Sequence, residues 1–136
     1  MTLDEFVAEL APLLKAKGYT KSRLCWVKKC DEVSLIFYIQ KSQFGKDVWY
    51  YNFGVSINAL LNEKCPKSFS DCHLWDRIDR STGTHIWNPG EIAVLSEKWE
   101  VRYGSMEKLH SNAIEGKYPE FVKPEVIPYI SAWYKK

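Results

Sequence analysis

Apolar and polar residues alternate with period two along two stretches of the chain. Val33, Leu35, Phe37 and Ile39 make one apolar set, and Trp49, Tyr51, Phe53, Val55 and Ile57 make the other, all at odd positions. This pattern predicts strands over 33–41 and 48–58 that share one dry face. The even positions between them carry Tyr38, Gln40, Tyr50, Asn52 and Ser56. The connecting segment 42–47 is polar except for Phe44. For the two apolar sets to share a face, Phe37 must lie opposite Tyr51 or Phe53, and Tyr38 opposite Tyr50 or Asn52. A sheet that is dry on one side and polar-aromatic on the other needs a cover on the first and offers a contact surface on the second.

The period changes on either side of this hairpin. Thr2-Leu3-Asp4-Glu5 has the form of a capping box, and Phe6, Val7, Leu10, Leu13 and Leu14 then recur at helical spacing. Gly18 follows Lys15 and Lys17 as a stop, so a helix is predicted over 3–17, with Pro12 as a potential kink. Arg23–Lys29 reads as a first strand, with Leu24 and Trp26 on one side, Cys25 and Val27 on the other, and Asp31-Glu32 turning the chain. The segment 59–71 gives no clear element. His73–Asp79 fits a fourth strand, with Leu74, Asp76 and Ile78 facing away from His73, Trp75 and Arg77. Asn88-Pro89-Gly90-Glu91 reads as a helix start, with Ile92, Leu95 and Trp99 as the buried stripe. Trp99–Tyr103 also alternates as a strand would, and the pattern leaves both readings open. Ser105 caps a further helix with Met106, Leu109, Ala113 and Ile114 inward and Gly116 at its end. Pro124-Glu125 opens the last one, which carries Ile127, Ile130, Trp133 and Tyr134.

No repeat, low-complexity tract or linker interrupts the chain, which predicts one domain over 1–136. The expected class is α+β: an N-terminal helix, an antiparallel sheet of three to five strands, and C-terminal helices covering the odd face. Each large apolar side chain buried there is worth ~1.5–3 kcal/mol, so the odd positions together dominate stability.

Composition changes this picture in two respects. Aromatic residues make up 15% of the 136 positions, more than a small core readily takes up, so some rings should lie at the surface. The net charge of +2 is too mild to call for a nucleic-acid or membrane partner. No apolar stretch approaches the ~20 residues that span a bilayer. The start, Met1-Thr2-Leu3-Asp4-Glu5, lacks the basic and apolar regions of a signal peptide. A cytoplasmic location is expected, and with it free thiols at Cys25, Cys30, Cys65 and Cys72.

The candidate chemistry is thin. Cys25-x4-Cys30 and Cys65-x6-Cys72-His73 do not have the short ligand spacing of structural zinc knuckles. No nucleophile elbow or Cys-x-x-Cys accompanies His73, His85 or His110, and His110 is expected at a surface or rim. Asp71, Asp76 and Asp79 alternate with Arg77 and Arg80 in the manner of solvated ion pairs. No metal, cofactor or catalytic group is therefore expected. Exposed Tyr38 and Tyr50, near Gln40, Asn52 and Lys41, have the means to stack bases, but no ribonucleoprotein-type motif accompanies them. Protein binding suits the residue types better, because Tyr, Trp and Arg are enriched at binding hot spots. Tyr38, Tyr50, Trp75, Arg77 and Trp87 supply such a set, against the competing reading of Trp75 and Trp87 as core.

Four local patterns carry a family resemblance. They are the helix exit Lys17-Gly18-Tyr19, the strand Cys25-Trp26-Val27, the run Phe37-Tyr38-Ile39-Gln40-Lys41-Ser42, and Tyr51-Asn52-Phe53-Gly54-Val55. Over about residues 3–60 the chain resembles a bacterial family of small domains of unknown function. Those domains carry a Gly-aromatic helix exit, a Gln-Lys-Ser strand end and an Asn-x-Gly-Val strand. The C-terminal half matches loosely. The resemblance implies an intracellular α+β domain without an assigned reaction and, by analogy with neighbours of secreted toxins, an immunity protein. Inhibitors of nucleases tend to be acidic, and the slightly basic charge argues against that version. The function expected from sequence is thus a protein-binding module, in its sharper form an immunity protein that covers a cognate toxin. Its surface would be Tyr38, Gln40, Lys41, Tyr50, Asn52, Trp75 and Arg77. The alternative is a small enzyme or RNA-binding domain using the same face.

Overall fold

The computed structural model describes residues 2–43, 48–61, 72–77, 88–116 and 122–134. Helix α1 spans Leu3–Ala16. Its predicted capping box is present: Glu5 N donates to Thr2 Oγ1 (3.2 Å) and Thr2 N to Glu5 Oε1 (3.4 Å). At the other end Gly18 takes the left-handed conformation (φ 94°). Gly18 N donates to Lys15 O and Tyr19 N to Leu14 O, which closes the helix in a Schellman turn. Pro12 lies inside the helix without ending it.

Five strands follow in sequential order as an antiparallel meander, β1-β2-β3-β4-β5. They are β1 (Thr20–Ser22), β2 (Cys25–Lys29), β3 (Val33–Lys41), β4 (Trp49–Ile57) and β5 (Leu74–Arg77). The strand expected over Arg23–Lys29 is present as β2 but starts at Cys25, because Arg23-Leu24 make the tight turn of the β1–β2 hairpin, with Arg23 at φ 57°. Polar β1, with all three residues exposed, lacks the alternation that would have announced it. The β3–β4 register pairs Phe37 with Phe53 and Tyr38 with Asn52, one of the two solutions that parity allowed.

Helix α2 spans Pro89–Tyr103, so the helical reading of 99–103 holds. Asn88 and Glu91 form its capping box. A short helix α3 (Met106–Lys108) continues as a π-helix over Leu109–Ile114. A 3₁₀ turn at Pro124–Val126 leads into α4 (Ile127–Tyr134), with Pro128 in its first turn.

The odd face of β3 and β4 is the main core. Val33, Leu35, Phe37, Ile39, Tyr51, Phe53, Val55 and Ile57 are all buried against the helices. Phe6 of α1 meets Trp49 and Tyr51, and Trp99 of α2 stacks on Phe53 at 5.4 Å between ring centroids. The two helices are tied to each other and to the sheet by ion pairs, Lys17 with Glu97 and Lys28 with Glu100. Leu74 and Asp76 of β5 pair with Val55 and Phe53 and join this side.

The even face departs from expectation. It is not open along its length. Ser34, Ile36 and Ser56 are completely buried, and Asn52 is 4% exposed. A second, smaller apolar cluster forms there from Cys25, Val27, Ile36 and Cys72, with Tyr38 and Trp75 packed against it. Gly54 makes this closure possible. A Cβ at that position would overlap Cys72 Sγ and lie 3.1 Å from both Cys72 Cβ and Leu74 O.

Candidate contact surface on the sheet

The register lays the even face out in rows across the strands. Lys29, Ser34 and Ser56 form one row, and Val27, Ile36, Gly54 and Trp75 the next. Cys25, Tyr38, Asn52 and Arg77 follow, and then Gln40 with Tyr50. Apart from exposed Lys29 at the edge of the first row, exposure rises in that order. The first row joins a buried polar network in which Ser34 Oγ donates to Asn58 Oδ1 (2.7 Å). Asn58 Nδ2 in turn donates to Cys30 O (3.0 Å) and Asp31 O (3.3 Å), which fixes the β2–β3 turn. The last two rows hold half-buried Tyr38, Tyr50 and Arg77 and exposed Gln40.

These residues form an assembled group. Arg77, at the end of β5, stacks its guanidinium over the Tyr50 ring at 4.4 Å from the centroid. Its Nη2 donates to Gln40 Oε1 at 3.0 Å. Arg77 thereby bridges β5, β4 and β3. Half-buried Trp75 borders the group on the Gly54 side. Asn52 lies in the centre, opposite both Tyr38 and Arg77, and its Nδ2 is buried with no hydrogen-bond partner. Six of the seven expected residues thus share one patch: Tyr38, Gln40, Tyr50, Asn52, Trp75 and Arg77. Lys41 does not join them. It lies opposite Trp49 in the odd set, so it belongs to the other side of the strand.

Other sequence candidates take structural places. His73 accepts a hydrogen bond from Ile57 N at its Nδ1 (2.8 Å), so it serves the end of β4. His110 is buried in the π-helix and not at a rim, with Nδ1 3.8 Å from Glu115 Oε1. Asp76 is 7% exposed on the helix-covered side, which corrects the expectation of a solvated ion pair. Asp71, Asp79, Arg80, Cys65, His85 and Trp87 lie outside the described residues. No disulfide joins Cys25, Cys30 and Cys72 to one another. Burial, then the Glu100 carboxylate, push the Cys30 thiol above its ordinary range. The same two causes in the same order push the Tyr19 hydroxyl up. Among the described residues no group of three or more His, Cys, Asp and Glu side chains is placed to hold a metal ion. No helix there is long and apolar enough to cross a membrane.

Sequence reasoning missed the residues that close the far end of the patch, Ile36 and Cys72. The signal was available in Gly54, a glycine inside an otherwise strong strand, which marks a close approach by another part of the chain.

Helices on one face of an antiparallel meander, and an aromatic-cationic patch at one end of the other, define an α+β domain with a preassembled side-chain group on its sheet. Residues 10–116 match the family DUF4304, a domain of unknown function, and the chain belongs to that family. The match extends well beyond the segment 3–60 that carried the resemblance and includes β5, α2 and the π-helix. No curated protein and no solved structure matches the chain.

Proposed function

We propose that this chain is a protein-binding module and that its contact surface is the open end of the even sheet face. The arrangement of Arg77 carries the reading. A guanidinium held on a tyrosine ring and hydrogen-bonded to a glutamine has lost its side-chain freedom before any partner arrives, which lowers the entropic cost of association. Tyr38 and Trp75 flank it, so the patch combines the three residue types most enriched at hot spots. The sharper form of the proposal is an immunity protein of a bacterial cytoplasm that covers a cognate toxin domain. The analogy drawn from the sequence supports that form, and the absence of described carboxylates in the patch directs it away from nucleic-acid mimicry.

The test is capture of a partner from the native host by tagged wild type, Tyr38→Ala and Arg77→Ala proteins with matched melting curves. Each substitution is expected to weaken the interaction by ~2 kcal/mol, about thirtyfold in Kd. A partner held equally by all three proteins would place the interface elsewhere. For the immunity form, co-expression with the toxin domain should restore growth with the wild type and fail with Arg77→Ala. A captured nucleic acid with steep salt dependence would replace protein binding by RNA binding.

A further inference from the structure

We infer that a second site, on the opposite side of the sheet from the patch, takes a small amphiphilic carboxylate. A groove of about 520 Å³ runs between the second half of α1 and the β1–β2 hairpin. That volume lies within the roughly 300–1,000 Å³ of small-molecule sites. Ala11, Pro12 and Trp26 give it an apolar lining, and Lys15, Thr20 and Lys21 also line it.

The charge pattern selects the guest. Four lysines lie near this corner of the molecule. Lys17 and Lys28 are neutralised by Glu97 and Glu100 of α2. Lys15 and Lys21, the two that line the groove, are exposed and have no carboxylate partner among the described residues. Lys21 Nζ lies 5.6 Å from the centroid of the Trp26 ring, so one cation is already held against the apolar wall. Trp26 itself is 1% exposed, and its indole N–H has no acceptor, leaving hydrogen-bonding capacity that the fold does not use. An apolar body against Ala11 and Pro12, above the buried Trp26, with a carboxylate between Lys15 and Lys21, satisfies both the lining and the charge. The site shares no residue with the Tyr38–Arg77 patch, so either proposal stands or falls without the other.

Calorimetric titration of the full chain with decanoate, and with decyltrimethylammonium as the opposite-charge probe, tests this. Decanoate should bind and the cation should not. A Lys15→Glu/Lys21→Glu variant should lose at least about tenfold in decanoate affinity, because two attractive charges become repulsive ones. Ala11→Trp, which fills the groove, should abolish binding. Should Ala11→Trp fail to fold, the lysine variant, at two exposed positions, decides the matter. No heat with decanoate, equal binding of the cation, or decanoate binding unchanged by the charge reversals would overturn the inference.

Discussion

Gly54→Ala probes how tightly the even face is closed. The position is in the middle of β4, between Ile36 and Trp75, and its φ is not positive, so an alanine has no backbone objection there. The obstacle is space: the new methyl would overlap Cys72 Sγ and lie 3.1 Å from Cys72 Cβ and Leu74 O. Overpacking of this kind costs ~1–3 kcal/mol. Against it stands a gain of ~0.4–1 kcal/mol from restricting the unfolded chain. The net expectation is a loss of ~1–2 kcal/mol. At about 2.1 cal/mol/K of unfolding entropy per residue, that lowers Tm by about 3–7 °C. Cys72→Ala alone should cost ~1 kcal/mol, as for a lost buried methyl-sized group. In the double variant the methyl introduced by Gly54→Ala takes the space that the sulfur held. Urea melts of the four proteins should therefore show a favourable coupling of ~1 kcal/mol or more. A Gly54→Ala protein as stable as wild type, or a coupling below ~0.5 kcal/mol, would refute the closure of this face by Cys72.

Other outcomes follow from the polar interior and the ionisable groups. Asn58→Ala removes the acceptor of Ser34 and the donor to Cys30 O and Asp31 O, and should cost ~2–3 kcal/mol in a urea melt. Asn88→Ala removes the cap of α2 and should cost ~1 kcal/mol in the same assay. Tyr19 ionises near pH 10 when unfolded but higher when folded, so the native state holds the proton longer and stability falls as pH rises above about 10. Thermal melts of Tyr19→Phe should show a shallower decline there. Glu100→Gln removes the negative charge that helps raise the Cys30 thiol, so alkylation of Cys30 at fixed pH should become faster; an unchanged rate would show that burial alone sets its reactivity.

Strong periodic signals were legible in advance, and weak ones were not. The odd residues of β3 and β4, the Thr2–Glu5 cap and the Asn88–Glu91 cap could be read because each is a local pattern with a local physical cause. Strand β1 was not legible, since Thr20-Lys21-Ser22 has no apolar face and forms through pairing with Trp26 and its neighbours. Most of the patch was legible through parity, because the register keeps Tyr38, Asn52 and Arg77 in one row. Lys41 was placed wrongly for the same reason, its odd number putting it beside Trp49. What parity alone cannot convey is depth. Ile36 and Tyr38 share a face, yet Ile36 is buried in a cluster with Cys25, Val27 and Cys72 while Tyr38 is half-buried, a difference made by residues distant in sequence.

The lengths of the strands have a consequence for the molecule's behaviour in a crowded cell. The two longest, of nine residues each, are interior to the meander, while its margins are a three-residue polar strand and a four-residue strand whose Leu74 is bridged by Val122. Short margins offer few unsatisfied amides to a neighbouring copy, so ribbon-to-ribbon polymerisation has little to template on. Deleting Thr20–Ser22 would uncover β2, whose Cys25-Trp26-Val27 run is fully buried, and would convert a chain with guarded margins into one prone to forming fibres.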